Sequence, residues 1–169
     1  AGPMAVVEVE HALGLPGQPQ PALVESQTYL LLPARSAQVP AAAAPAAGSV
    51  ALPAVQARHV KTVVPDETLL FQYSALGFNS HRIHIDREHA QRVEGFPDLV
   101  VNGGLATLLL TEFLRLDVGV VPAAITVRHV APLFCNRTVT LAADPAGAGW
   151  RLKAYDDSNR LAVDMEVTV

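Results

Sequence analysis

The most apolar part of the chain has the spacing of a buried helix. From residue 104 to about residue 116, apolar side chains recur at intervals of three and four residues, the period of an α-helix. They leave almost no polar side, and a helix of that kind is normally enclosed by the rest of the protein. The predicted stripe comprises Leu105, Leu108, Leu109 and Phe113, widened by Leu110 and Leu114.

After this helix the spacing changes to the two-residue alternation of β-strands. Polar or small residues alternate with apolar ones in the last stretch, as in a strand with one face in water. The turns between strands are short, among them residues 156–159, so neighbouring strands are expected to run antiparallel. The predicted wet face holds Ala162, Asp164, Glu166 and Thr168, and the strands cover residues 124–130, 137–143, 150–155 and 161–169.

Upstream of the long helix the pattern predicts one strand and two shorter helices. The strand covers residues 60–64 and a helix follows over residues 67–76. After a polar loop, a short helix covers residues 87–94, which Asp86 can cap at its start and Gly95 at its end. A long buried helix followed by an antiparallel meander indicates an α+β fold in which a curved sheet wraps the helix, the arrangement called a hot-dog fold.

The N-terminal third differs in composition from the rest. Two strand-like pieces, residues 5–10 and 22–32, precede an Ala- and Pro-rich segment over residues 33–57. That segment has no charge after Arg35 and no apolar periodicity, so we predict a linker. Two strands cannot bury a core by themselves, so they are expected to lean on the rest of the chain or on another subunit.

Composition and charge narrow the range of partners. The 169 residues are 50% hydrophobic and only 17% charged, against about 25% in ordinary soluble domains. Part of the apolar surface is therefore expected to lie against a second copy, which predicts a homodimer. A net charge of −4 with scattered Lys and Arg indicates no nucleic-acid partner and no anionic membrane surface. No stretch approaches the roughly 20 apolar residues that span a bilayer.

The single cysteine indicates in which cellular compartment the protein is expected. Cys135 cannot form an internal disulfide, which fits a reducing environment. The first residues alternate Val with Glu and lack the basic start and apolar run of a signal peptide. We therefore expect a cytoplasmic protein in which Cys135 is a small buried residue.

The densest polar cluster follows the predicted helix that ends at residue 76. Three of the six His fall within nine residues there. Imidazole nitrogen and carboxylate oxygen both bind metals, although an HxxH pair in a loop need not bring its two rings together. Alternatively, one imidazole transfers protons near neutral pH beside the carboxamide of Asn79. A plain loop of hydrogen-bonding residues is the third interpretation. The metal candidates are His81, His84 and either Asp86 or His89.

Three spaced pieces of the sequence resemble one known family. YSALGFNSHRIHID, FPDLVVNGGL and VRHVAPLF are similar to the MaoC-like hydratases and dehydratases, the R-specific enoyl-thioester hydratase group with a hot-dog fold. Within that family, the HRIH variant is most similar to mesaconyl-CoA (3-methylfumaryl-CoA) hydratases and mitochondrial-type 3-hydroxyacyl-thioester dehydratases. The resemblance covers residues 59–169 and, more weakly, residues 23–32. It implies a reduced N-terminal hot-dog-like segment with its linker over residues 1–57 and a catalytic hot-dog domain over residues 58–169.

The resemblance assigns the first pair of site residues. Tyr73, Ala75 and Leu76 set the register. Asn79 then stands where the family has a catalytic Asp, and His84 stands where it has a catalytic His five residues later. The spacing of the family is kept, while one residue type is changed.

The second set of site residues lies at the start of the central helix. Asn102 and Gly103 occupy the position of the family's His-Gly pair, and Gly104 follows. In the family, a glycine N–H here binds the thioester carbonyl. Independently of any family, a helix N-terminus offers unpaired N–H groups and a partial positive charge, and glycine lets a ligand approach closely.

The implied activity is reversible hydration of a trans-2-enoyl thioester, or dehydration of the matching 3-hydroxyacyl thioester. His84 would exchange a proton with water, Asn79 would orient that water, and the amide of Gly103 or Gly104 would stabilise the oxyanion. The substrate would be an acyl-CoA or an acyl-carrier thioester. No metal or other cofactor is required.

The choice of substrate depends on arginines. A mesaconyl-type substrate carries a free carboxylate, which a planar guanidinium binds well. Arg82 and Arg128 are the candidates, and each fits equally a phosphate of the carrier or a surface ion pair. Two other functions stay open at this point: a non-catalytic module that binds acyl thioesters, and a metal-dependent hydrolase.

Overall fold

The chain divides into two compact units. The computed structural model describes residues 5–31 and 54–169. The units are Ala1–Gln38 and Val39–Val169. Most of the predicted linker, residues 33–57, lies outside the described residues.

The N-terminal unit holds a two-stranded antiparallel hairpin. Strand β1 (Ala5–Gly14) pairs with β2 (Pro21–Leu31), with Val6 opposite Leu30. Strand β1 is longer than predicted, because pairing with β2 continues past residue 10. Nearly all side chains of both strands are exposed within the described residues, as expected where two strands have no third layer of their own.

The second unit contains a five-stranded antiparallel sheet. Its strands are β3 (His59–Val63), β4 (Ala124–His129), β5 (Val139–Ala146), β6 (Gly149–Tyr155) and β7 (Leu161–Thr168). They lie in the order β3-β5-β6-β7-β4, so the first strand of the unit and the first strand after the long helix form the two edges. Pairing runs from Val60 opposite Ala142 at one edge to Val127 opposite Met165 at the other.

Three α-helices and a 3-10 turn lie between β3 and β4. They are α1 (Glu67–Leu76), the 3-10 turn (Arg82–His84), α2 (Arg87–Arg92) and α3 (Gly103–Phe113), which continues into a π-helical end (Leu114–Val118). Asp66 caps α1 by accepting the N–H of Leu69, and Asp86 caps α2 by accepting the N–H of His89, as predicted for Asp86. Gly95 follows α2 with a positive φ of 73°.

The core lies between α3 and one face of the sheet. Leu110 of α3 belongs to the same buried cluster as Leu141, Leu152 and Met165 of the sheet, and each of these four side chains is at most 1% exposed. The α+β hot-dog fold predicted from the sequence is confirmed. No helix within residues 5–31 and 54–169 is both long and apolar enough to cross a membrane.

The prediction that α3 is buried on nearly all sides is wrong for one face. Leu108 is 47% exposed, while the small Ala106 is buried at 4% exposure. The sheet covers only the side of α3 that carries Leu105, Ala106 and Leu110. A helix on one layer of sheet buries one stripe, and apolar composition alone does not show which stripe that is.

The prediction of a wet face along β7 is also wrong for half of that face. Ala162 is fully buried and Asp164 is only 8% exposed, whereas Glu166 and Thr168 are exposed as predicted. The segment after β4 covers Ala162, because the N–H groups of Val130 and Ala131 donate to its carbonyl oxygen. Asp164 is covered by an arginine of the neighbouring strand β6.

Candidate functional site

His84 is a buried histidine held in one orientation by the backbone. It ends the 3-10 turn and is 8% exposed. Its Nδ1 lies 2.7 Å from the carbonyl oxygen of Val100. A carbonyl oxygen only accepts hydrogen bonds, so Nδ1 carries the proton and Nε2 keeps its lone pair. The ring is therefore set up to accept a proton at Nε2.

Burial keeps the His84 imidazole neutral. Desolvation lowers its pKa from the ordinary value of 6.5, the hydrogen bond to Val100 acts in the opposite direction, and the nearby His81 adds a further lowering. The His81 and His84 rings lie edge to face, with centroids 5.6 Å apart. A neutral imidazole near neutral pH can act as a general base.

A cavity of about 350 Å³ opens beside His84. Its walls bring together the 3-10 turn, the start of α3 and the segment that follows β4. His84 and Gly103, two of the residues predicted for the site, both line it. The remaining walls are mostly apolar and include Val100, Ala106, Ala131, Leu133 and Val163. An apolar cavity with a few polar groups is typical of a small-molecule site.

The start of α3 meets this cavity without a side-chain cap. Asn102 is the residue before the helix, and its side chain makes no capping hydrogen bond. The first N–H groups of a helix have no partners within the helix, so those of Gly103 and Gly104 can bind an anionic group. Gly104 packs directly under the hydroxyl of Tyr73, where a larger residue would collide.

Asn102 is buried behind the cavity. It is 1% exposed and donates from Nδ2 to Oγ of Ser74 at 3.3 Å. Within the described residues its Oδ1 is buried without a hydrogen-bond partner. The structure therefore makes Asn102 a link between α1 and α3, and it is not among the residues that line the cavity.

Asn79 lies outside the cavity lining. It is exposed, and its Oδ1 accepts the N–H of His81 at 3.0 Å. Its own N–H donates to the carbonyl oxygen of Ser74. The carboxamide oxygen is thus used to shape the turn that presents His84.

The two arginines predicted to bind substrate are also placed away from the cavity lining. Arg82 is paired with Asp86 at 2.6 Å and its side chain is 61% exposed. The side chain of Arg128 is 75% exposed and lies 3.9 Å from Asp164.

The residues of the predicted metal cluster are engaged separately. Asp86 accepts hydrogen bonds from Arg82 and from the backbone of His89, while His84 faces Val100. In the described parts of the chain, no three His, Cys, Asp or Glu side chains are close enough together to hold a metal ion. The metal interpretation therefore finds no support among those residues.

The structure adds His129, which the sequence did not single out. It ends β4 and lines the same cavity as His84. Its ring packs over Gly103, since a methyl group on that glycine would lie 3.4 Å from it. Desolvation lowers the pKa of His129, although the residue as a whole stays exposed. The only available signal was its position inside the piece VRHVAPLF.

Comparisons with known proteins show the family of the chain. The family model described as hydroxyacyl-thioester dehydratase type 2 matches residues 5–135. A mesaconyl-C(4)-CoA hydratase of Chloroflexus aurantiacus is 42% identical over 128 residues, 76% of this chain and 46% of that protein. The mitochondrial hydroxyacyl-thioester dehydratase type 2 of Schizosaccharomyces pombe is 29% identical over 99 residues, 55% of this chain and 32% of that protein. The chain therefore spans less than half the length of these two relatives.

Solved structures share the fold. HtdX of Mycobacterium tuberculosis aligns over 96% of this chain and 61% of that chain, with a TM-score of 0.69 and 17% identity. An (R)-hydratase of A. caviae involved in PHA biosynthesis aligns over 64% of this chain and 89% of that chain, with a TM-score of 0.58 and 15% identity. Because the family model covers well over half of its residues, this chain belongs to the hydroxyacyl-thioester dehydratase type 2 family.

Proposed function

We propose that the protein is a hydro-lyase that adds water reversibly to a trans-2-enoyl thioester and dehydrates the matching 3-hydroxyacyl thioester. One observation carries this proposal: a neutral, backbone-oriented His84 shares a cavity with the uncapped start of α3. A base and an oxyanion site in one apolar cavity are the two groups that the reaction needs.

In the hydration direction, Nε2 of His84 takes a proton from water as the water oxygen bonds to the β-carbon. The π electrons of the double bond move toward the thioester, whose oxygen becomes enolate-like. The N–H of Gly103, which lines the cavity, or that of the adjacent Gly104 stabilises that oxygen, and removing such a donor typically costs about 3 kcal/mol of transition-state stabilisation. His84 then returns its proton to the α-carbon, so one water has been added and the imidazole is neutral again.

Asn79 has a supporting role in this proposal. An amide side chain cannot take a proton, but its Nδ2 can donate a hydrogen bond to the attacking water. Its Oδ1 is used by the N–H of His81, so Nδ2 is the atom that would meet water. Asn102 supports the same site from behind, by joining α1 to the start of α3 through Ser74.

We propose acyl-CoA substrates, with mesaconyl-type esters first among them. The support is the 42% identity to a protein named mesaconyl-C(4)-CoA hydratase. Arg82 and Arg128 are exposed, and both are proposed to bind the carboxylate or the phosphates of such a substrate. An acyl-carrier thioester is the competing substrate, and the assay below compares the two.

We further propose that residues 58–169 form the catalytic domain and that residues 1–57 carry a hot-dog-like segment with its linker. The cavity is formed entirely by residues of the first range. We propose a homodimer, because exposed apolar side chains such as Leu108 and Val121 are best covered by a second copy. Sedimentation as a monomer at micromolar concentration would contradict the dimer. A lone buried thiol and a CoA substrate both favour a cytoplasmic location.

The test is a panel assay that follows loss of the conjugated enoyl-thioester absorbance. The wild-type chain is assayed with four substrates, and its turnover of each is compared: crotonyl-CoA, a longer enoyl-CoA, mesaconyl-CoA and a crotonyl-carrier protein. His84→Asn keeps a donor for the carbonyl of Val100 but has no base, and we expect it to lose at least about 100-fold in kcat. The control is His11→Asn on the exposed hairpin. Near wild-type turnover in His84→Asn overturns the mechanism, and binding of every ester without turnover indicates the acyl-thioester-binding module.

A further inference from the structure

The attacking water needs a second acceptor besides His84. Water has two hydrogens, and fixing its orientation requires a partner for each of them. Asn79 does not supply this acceptor, because its Oδ1 already accepts the N–H of His81 and the atom proposed to meet the water, Nδ2, is a donor. A second acceptor therefore has to come from elsewhere in the cavity wall.

His129 has the hydrogen bonding that this acceptor requires. The hydroxyl of Thr107 donates to the carbonyl oxygen of Gly103 at 3.2 Å, so its proton is used there. The same hydroxyl lies 3.3 Å from Nε2 of His129 and can then only accept from that nitrogen. Nε2 thus carries the proton, and Nδ1 is the unprotonated nitrogen of a ring that lines the cavity.

The two histidines therefore share one protonation pattern, in which one ring nitrogen carries a proton and the other does not. In His84 the carbonyl of Val100 fixes the proton on Nδ1, and in His129 the hydroxyl of Thr107 fixes it on Nε2. Each ring is left with one basic nitrogen, and both rings line one cavity. Packing over Gly103 places the ring of His129 beside the proposed oxyanion site.

We propose that Nδ1 of His129 accepts the second hydrogen of the attacking water, while Nε2 of His84 takes the first as a proton. His129 neither gains nor loses a proton in this step. It touches the reacting water and orients one lone pair of that water toward the β-carbon. This inference rests on the proposed hydratase activity and adds a residue that the motif containing His84 does not include.

Two substitutions of His129 test the contributions of its two ring nitrogens separately. His129→Asn places a carboxamide oxygen near the position of Nδ1, whereas His129→Gln reaches the position of Nε2 and keeps only the contact with Thr107. With crotonyl-CoA we expect His129→Gln to lower kcat about 100-fold and His129→Asn to stay within about fivefold of the wild type. The control is His11→Gln on the hairpin. The reverse order, with Asn worse than Gln, is what a purely structural role through Thr107 gives, and it overturns the proposal.

The pH profile provides a readout that does not depend on these variants folding equally well. Both rings have to be neutral, so log(kcat/KM) of the wild type should fall with a slope approaching two on the acid side. In His129→Asn the slope should fall to one. The charged and titratable side chains around the two rings are His81 beside His84, and Arg128 and Asp164, which form the pair next to His129 on β4 and β7. Arginine stays charged and the pKa of Asp164 is lowered from 3.8, so neither of these two groups changes charge near the pKa of a histidine. A wild-type slope of one contradicts the proposal.

The two proposals fail in different ways. A wild-type chain that turns over no enoyl-CoA overturns the hydratase function and this inference together. A wild-type chain that is active, together with His129→Gln at the wild-type rate, overturns this inference alone. As a control, thermal unfolding of each variant is followed by circular dichroism, so that only folded variants are compared.

Discussion

Val100 forms hydrogen bonds to His84 and to the residue before it, once as an acceptor and once as a donor. The carbonyl oxygen of Val100 accepts the Nδ1 proton of His84 at 2.7 Å, and the N–H of Val100 donates to the carbonyl of Ile83, the residue before that histidine. Val100 lies three residues before Gly103, where α3 begins. One short segment therefore orients the proposed base and leads into the proposed oxyanion site, which fixes the two relative to each other.

Stability should fall as the pH is lowered below 6.5. The folded-state pKa of His84 lies below the ordinary value of 6.5, so the folded chain binds fewer protons than the unfolded chain in the window between these two values. The contribution of His84 to the free energy of unfolding is then fully present above about pH 6.5 and is lost as the pH falls through the folded-state pKa. The loss is at most about 1.4 kcal/mol per pH unit, the value for a difference of one bound proton between the folded and unfolded chains.

Urea unfolding between pH 7.5 and pH 5 measures this effect, and His84→Asn should reduce the slope of the free energy of unfolding against pH. His129 shifts in the same direction, with a smaller effect because it is exposed. The pKa values of Asp86 and Asp164 are lowered from 3.8, so their contributions appear at more acid pH. An unchanged slope in His84→Asn would show that His84 is not the group responsible.

Gly104→Ala should destabilise the protein and slow the reaction. The added methyl group would collide with the hydroxyl of Tyr73, so either that ring or the start of α3 has to move. We expect a loss of about 1–3 kcal/mol in the free energy of unfolding. Tyr73→Phe removes the colliding oxygen, so the double variant should be more stable than the sum of the two single changes. Additive effects in this double-mutant cycle would argue against the collision.

Two arginines beside Asp164 should differ sharply in their contribution to stability. Arg151 donates to both oxygens of this nearly buried carboxylate, at 2.9 Å and 2.6 Å, whereas Arg128 is 3.9 Å away and mostly exposed. Arg151→Ala should clearly lower the free energy of unfolding, because it leaves the nearly buried carboxylate of Asp164 without its bidentate partner, while Arg128→Ala should leave that free energy nearly unchanged. Urea unfolding of the two variants compares them directly. Equal losses would mean that the bidentate geometry is not the cause.

Cys135 should be unreactive in the folded protein. The residue is fully buried, and burial raises the pKa of its thiol, so little thiolate is present at neutral pH. A colorimetric thiol reagent should label no cysteine in the native state and one per chain in denaturant, since the sequence contains one. Rapid labelling of the native chain would contradict this prediction.

Local patterns in the sequence predict most of the fold correctly. The 3.6-residue period predicts α1 and α3, the two-residue period predicts β4 to β7, and Asp86 marks the start of α2. These features depend on neighbours in sequence, so they can be recognised without a structure. The motif spacing likewise indicates His84 and Gly103, and both line the cavity.

What the sequence could not determine depends on contacts between residues distant in sequence. Leu108 and Leu110 are the same residue type on one helix, and only the position of the sheet decides that the first is exposed and the second buried. Asp164 looks like a surface residue until Arg151 of the next strand covers it.

By itself, therefore, the sequence determined the hot-dog fold, the His84 motif and the glycine start of α3, because each is written in a local period or spacing. The tertiary structure decided which nitrogen of His84 is basic, through the carbonyl of Val100, and it brought His129 from the end of β4 onto Gly103. These are effects of groups brought together by folding, and no local pattern encodes them.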